Sequence, residues 1–355
     1  MLKRPRIAGP RQYLIDGLIP ALAVGVIGAI AFYLVHLPLP FVLGPMYACL
    51  LVNLAYPRLT SPSWTRPPVV ALIGVMLGTT FKPELLERLD IWATPLAGLL
   101  VVVATIVTVN YLYYHSVAKF DKATAFYSSS PGGLTEMVIL GGSGGGKETD
   151  IALAHSSRIL LVVMLLPWVI RYALDIPFSG RTISGPSIAQ MDIATLWLIL
   201  ACAVAGTYLG KALKFPAYAF VGPMIVSALF HLSGMSDFSV PSEFVIFAQV
   251  VLGVSVGVGF VGVPPRLVGQ ALLFGLGSSL MMVLIALFGA YVVSRISPFD
   301  VSALLLAFAP GGFPEMSLIA YAMGVDVALV AALHVVRIAI VLLFVPMVYR
   351  VFVAD

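Results

Sequence analysis

Six residues carry most of the chemistry this sequence can do: Glu136, His155 and Arg158, then Glu315, His334 and Arg337, all set in strongly apolar surroundings. A charge in such surroundings is costly, so each carboxylate is expected to find a basic partner, a cation or a proton. Arg158 and Arg337 are the natural partners of Glu136 and Glu315, and each arginine follows its histidine by three residues, on one helical face. A Glu, His and Arg set can change protonation as a solute binds, which is what coupling transport to a proton gradient requires. The alternative is a pair of structural Glu-to-Arg bridges stapling each carboxylate segment to the following helix.

Both carboxylates lie one helical turn beyond a Pro-Gly-Gly, in 128-SSSPGGLTEM-137 and 307-AFAPGGFPEM-316. Proline stops a helix, and paired glycines let the chain turn or let a ligand approach bare backbone. Broken backbone at membrane depth persists only where protein or a water-filled cavity satisfies its polar groups. The helices after Pro131 and Pro310 would aim free N–H groups at such a cavity, making Pro131, Gly132, Gly133, Pro310, Gly311 and Gly312 candidate binding positions for an anion or polar solute. A merely kinked helix packed on its neighbours is the other possibility. Ser128, Ser129 and Ser130 stand where the second stretch has Ala307, Phe308 and Ala309, so polar recognition is expected to be lopsided, unless those serines bond to their own helix carbonyls.

The elements that must position these residues are membrane helices. Of 355 residues 60% are hydrophobic and 10% charged, and mean hydropathy is +1.04. Soluble domains carry about 25% charged residues. Apolar segments near 13–36, 40–56, 67–81, 91–114, 151–171, 190–210, 216–233, 244–262, 267–293 and 327–349 predict roughly ten crossings. Segments 123–141 and 301–323 are interrupted by Pro-Gly-Gly, and the Gly, Ser and Pro-rich stretch 172–189 reads as a linker. The start, MLKRPRIAGPRQ, resembles a signal-peptide n-region, but the apolar run behind it is long enough to span, so it predicts a retained first helix with its basic end inside.

The two halves, 1–178 and 179–355, are copies. An offset of 179 pairs Pro131, Gly132, Gly133, Glu136 and Met137 with Pro310, Gly311, Gly312, Glu315 and Met316, then His155 with His334 and Arg158 with Arg337. The same offset pairs Gly74 and Gly78 with Gly253 and Gly257, and 178 pairs 44-GPM-46 with 222-GPM-224. If each interrupted segment dips in and returns, every copy has five crossings and the copies are inverted; the distribution of Lys and Arg favours this by a small margin.

Other classes have little support. Charge lies in short loops rather than on a basic face, which argues against nucleic acid. Cys49 and Cys202 are isolated, and His36, His115 and His231 fall near segment ends without metal-ligand spacing, so neither a metal nor another cofactor is expected. No nucleophile-elbow or Walker A sequence is present, and 141-GGSGGG-146 reads as a flexible loop tip.

The duplicated PGG-x-x-EM followed by H-x-x-R, with GPM near the second helix of each copy, resembles the bacterial AbrB-type membrane proteins over nearly the whole chain. Members of that family have been labelled ammonia monooxygenases or regulators of gene expression; neither label follows from these residues. A more distant resemblance, in architecture, is to the elevator symporters for glutamate and citrate. It implies a solute between the loops around Pro131 and Pro310, coupling to H+ or Na+, and a homodimeric scaffold in the bacterial inner membrane. The expected function is therefore a secondary transporter or exporter of a small polar, anionic solute, not an enzyme. A membrane sensor acting on gene expression is the alternative, and an ammonia monooxygenase is disfavoured by the missing metal cluster.

Overall fold

The computed structural model describes residues 17–56, 58–175 and 185–353, so the basic amino terminus, most of the linker and the boundary between the halves lie outside the described residues. The described chain is all helical, with fourteen α-helices. The first seven are α1 Ile19–Leu34, α2 Pro40–Ala55, α3 Arg66–Gly78, α4 Ala93–Ser116, α5 Lys122–Ser129, α6 Leu134–Ser143 and α7 Glu148–Ala173. Then come α8 Ile193–Ala212, α9 Tyr218–Leu232, α10 Ser242–Gly257, α11 Pro265–Ser294, α12 Val301–Phe308, α13 Phe313–Met323 and α14 Val327–Phe352. The offset of 179 carries α5 onto α12 and α7 onto α14 residue for residue.

Backbone geometry repeats as well. His36 (φ 60°) and Leu39 (φ 48°) take the left-handed conformation before α2, and Lys214 (φ 55°) and Ala217 (φ 49°), each 178 residues on, take it before α9. Side chains with a Cβ avoid this region, yet the chain adopts it ahead of both helices.

Among the described residues, five helices are long and apolar enough to cross a membrane: Asp90–Ser116, Glu148–Ala173, Ile193–Ala212, Pro265–Ser294 and Val327–Val351. The other apolar helices at the expected positions, α1, α2, α3, α9 and α10, run 13–16 residues within the described chain. Backbone contact compensates for their length. A Cβ on Gly28 would collide with the Gly44 carbonyl, locking α1 on α2, and Gly206 meets Gly222 and Pro223 in the same way between α8 and α9. Between halves, Gly74 and Gly78 of α3 lie on the carbonyls of Phe220 and Met224 in α9, while Gly253 and Gly257 of α10 lie on those of Val42 and Met46 in α2. The repeated GPM and glycine pairs are thus packing devices of the small-residue kind that lets membrane helices approach. Each half lends its third helix to the second helix of the other.

The interrupted segments fold back. Asp121 caps α5, accepting from Thr124 N–H at 2.8 Å and Thr124 Oγ1 at 2.7 Å, and Thr124 Oγ1 in turn accepts from Lys147 N–H at 2.8 Å, just before α7. The beginning and end of the α5–α6 unit therefore meet. Burial pushes the Asp121 carboxyl up, but the Thr124 hydrogen bonds outweigh it and hold the group below its ordinary value. In the second copy Asp300, Ala303 and Asp326 line one cavity of about 190 Å³, bringing both ends of α12–α13 together as well. An α5 of 8 residues rises about 12 Å, against about 30 Å of hydrocarbon, so each unit is a half-depth hairpin with Pro-Gly-Gly at its tip.

Candidate functional site

Each tip is built around one buried arginine. After α5 the chain leaves helical geometry at Ser130 and re-enters at Gly133 (φ −66°, ψ 143°), so the carbonyls between have no helical partner. Arg158, 3% exposed, reaches across from α7 and donates Nη1–H to the Ser130 carbonyl and Nη2–H to that of Gly132, both at 3.2 Å. Arg337, also 3% exposed, donates to the carbonyls of Ala309 at 2.8 Å and Gly311 at 3.4 Å. His155 Nε2 donates to the Tyr127 carbonyl at 3.0 Å, whereas His334 Nδ1 donates to Val330 of its own helix at 2.9 Å and its ring stacks on Phe313. A carbonyl only accepts, so these bonds fix both tautomers.

The expected Glu136–Arg158 and Glu315–Arg337 pairs do not form. The arginines are committed to carbonyls, which the helix breaks left in more urgent need of donors. Glu315, 1% exposed, instead accepts at 3.0 Å from Arg66 Nη2, which comes from the start of α3 in the other half and is 46% exposed. Glu136 is half-buried and makes no ion pair or hydrogen bond among the described residues. Replacing Arg66 with Ala strands a buried carboxylate and should destabilise the protein by about 3 kcal/mol, with R66A/E315Q recovering most of it in thermal unfolding.

The glycines serve crowding by their own hairpins. A Cβ on Gly132 or Gly311 would press into Met137 or Met316, and one on Gly133 or Gly312 into the carboxylate of Glu136 or Glu315. All four have negative φ, so the PGG-x-x-EM spacing describes a tip folded under its own Met and Glu. Two of the three serines are likewise spent locally: Ser129 and Ser130 donate to the Phe126 carbonyl at 2.7 and 2.9 Å. Ser128 Oγ stays buried without a partner.

Unpartnered buried polar atoms gather around these tips. They include Ser128 Oγ, His155 Nδ1 and Arg158 Nε on one side, with Glu315 Oε2, Ser317 Oγ, His334 Nε2 and Arg337 Nε on the other. Arg158 and Arg337 are close enough to act on each other electrostatically, and among the described residues no ion pair reaches either guanidinium. Two positive charges thus share an interior from which water is largely excluded. The cavity at Asp300 and Asp326 lies at the mouth of the second hairpin, away from the tips.

The sequence did not single out Arg66, Tyr114, Asn110, Ser278 or Ser279. Tyr114, Asn110 and Ser278 form a buried polar cluster where α4 meets α11: Ser278 Oγ donates to Asn110 Oδ1 at 2.7 Å, and the Tyr114 hydroxyl neighbours both Ser278 and Arg158, while Ser279 Oγ is buried without a partner. Polar side chains within otherwise apolar spans were the available signal.

Comparison with known proteins identifies a family. A family model described as "Transition state regulatory protein AbrB" matches residues 41–353. A protein of Bacillus subtilis (strain 168), YhjN, is 26% identical over 293 residues, covering 79% of this chain and 76% of its own. Another of Escherichia coli (strain K12), named "Putative regulator AbrB", is 26% identical over 331 residues, covering 91% of this chain and 92% of its own.

Proposed function

We propose that this chain, which belongs to the AbrB family, is a secondary transporter of a small anionic solute. The observation that supports this most is the pair of buried guanidinium groups, Arg158 and Arg337, mutually repelling, each fixed on the broken backbone of a half-depth hairpin. An unpaired charge is expensive in such an interior, and two like charges more so. An anion between them offsets both, with the amino-terminal ends of α6 and α13 adding favourable dipoles.

In this account the seven-helix halves are inverted repeats, the glycine-packed helices form the less mobile body, and the hairpins with α7 and α14 carry the solute. The bacterial inner membrane is the proposed location and a homodimer the proposed assembly. Glu315, with Oε2 free beside its bond to Arg66, is the buried carboxylate available to a coupling proton or Na+. The chain acts as a carrier, with no catalytic step.

The names of the relatives favour a second possibility, a membrane sensor that binds the same class of anion and acts through a partner. Flux separates the two. Proteoliposomes holding the purified protein should exchange labelled anion with excess unlabelled anion inside, faster than empty vesicles. Binding without exchange would favour the sensor.

A further inference from the structure

The second helix of each half ends in a side chain that clasps the loop that follows, and the two clasps differ in kind. At the offset of 178, Asn53 near the end of α2 corresponds to His231 at the end of α9. Asn53 exchanges two hydrogen bonds with Leu59, donating Nδ2–H to its carbonyl at 3.1 Å and accepting from its N–H at 3.0 Å. One donor and one acceptor complete that clasp without charge.

His231, 6% exposed, faces two acceptors instead. Its Nδ1 lies 2.8 Å from the Ser227 carbonyl and its Nε2 3.0 Å from the Phe238 carbonyl, with its ring edge-on to Phe238. A carbonyl only accepts, and a neutral imidazole carries one N–H, so both bonds exist together only in the imidazolium. His155 and His334 each meet a single carbonyl and make no such demand. The negative end of the α9 dipole lies at His231, which suits a cation. The charged residues at this end of the neighbouring elements are Asp192 before α8, Lys82 and Glu84 beyond α3, Asp237 in the loop and Glu243 in α10. All five are exposed, and among the described residues no ion pair reaches His231.

We propose that His231 is a proton-operated clasp on the loop 233–241. Protonated, it ties Phe238 back to α9. Deprotonated, it sets a ring lone pair against one of the two carbonyls at hydrogen-bond distance, so ring and loop must part. The loop is a junction: Phe238 and Val240 are buried in the core, Ser242 N–H donates to the Pro186 carbonyl of the linker at 3.1 Å, and α10 follows with the glycines that pack on α2. Proton loss therefore loosens the place where the linker and both halves meet. This inference is independent of the anion-carrier function.

The test is hydrogen–deuterium exchange of the full-length, detergent-purified protein at about pH 5.5 and about pH 8, the range in which histidine changes charge, with rates corrected for intrinsic pH dependence. Amides of 233–241 should open about tenfold less often at the lower pH, as expected for one charge-assisted hydrogen bond, while the Asn53-clasped loop 56–62 should not respond. His231→Asn, which places asparagine here as in the first half, should abolish the response. If that variant does not fold, 15N-histidine spectra of His36→Gln/His115→Gln, which removes the two exposed rings, should show one ring gaining a second N–H as exchange slows. Equal protection at both pH values, a response that survives His231→Asn, or three rings that all stay neutral where the loop is most protected overturns the clasp.

Discussion

Replacing Arg158 and Arg337 together with Met should destabilise the protein by more than the sum of the two single replacements. Each single variant deprives two buried carbonyls of their donors, a loss of about 2–4 kcal/mol, but also removes the repulsion between the guanidinium groups. The double variant loses both sets of hydrogen bonds while that repulsion can be relieved only once. The excess should be about 1–2 kcal/mol for two partly screened charges in contact with a low-dielectric interior. Thermal unfolding of the four proteins in detergent measures it, and a saturating anion should shrink it. Strict additivity would mean that the two charges do not share an interior.

The largest effects on folding are expected at the glycine contacts rather than at the tips. Gly206→Leu or Gly222→Leu drives a side chain into backbone of the neighbouring helix, where no rotamer change makes room. Each should cost more than about 3 kcal/mol and leave little monodisperse protein on gel filtration. Gly269→Ala in α11 meets nothing within 4 Å and should be neutral or stabilising by up to about 1 kcal/mol, as expected for glycine in a helix. Gly132→Ala should fall between, because the atoms it displaces belong to the flexible end of Met137.

These contrasts also mark what could be read before the structure. Residues that recur at the offset, such as Pro131 and Pro310, drew attention to both hairpins, whereas the packing role of Gly74 and Gly253 emerged only from the structure. Repetition does not say whom a side chain meets. Arg158 was expected on Glu136 because opposite charges attract, yet helix breaks freed carbonyls that only a nearby donor fork could satisfy. Arg66 could not be matched to Glu315, 249 residues away, since that bond arises from one half packing into the other. Nor could Tyr114 and Ser278, because the polar cluster they build exists on one side of the repeat only.

The measurement that bears most directly on the central claim is the anion dependence of stability, compared between wild type and R158M/R337M at constant ionic strength. A ligand that binds only the folded state raises stability by mass action, by about 2.7 kcal/mol at a hundred times its dissociation constant. Across a panel of small organic and inorganic anions, wild type should show a saturable rise in unfolding temperature with at least one of them, and the double variant none. An equal rise in both proteins, or no rise in a wild type that remains folded, would contradict an anion seated between Arg158 and Arg337.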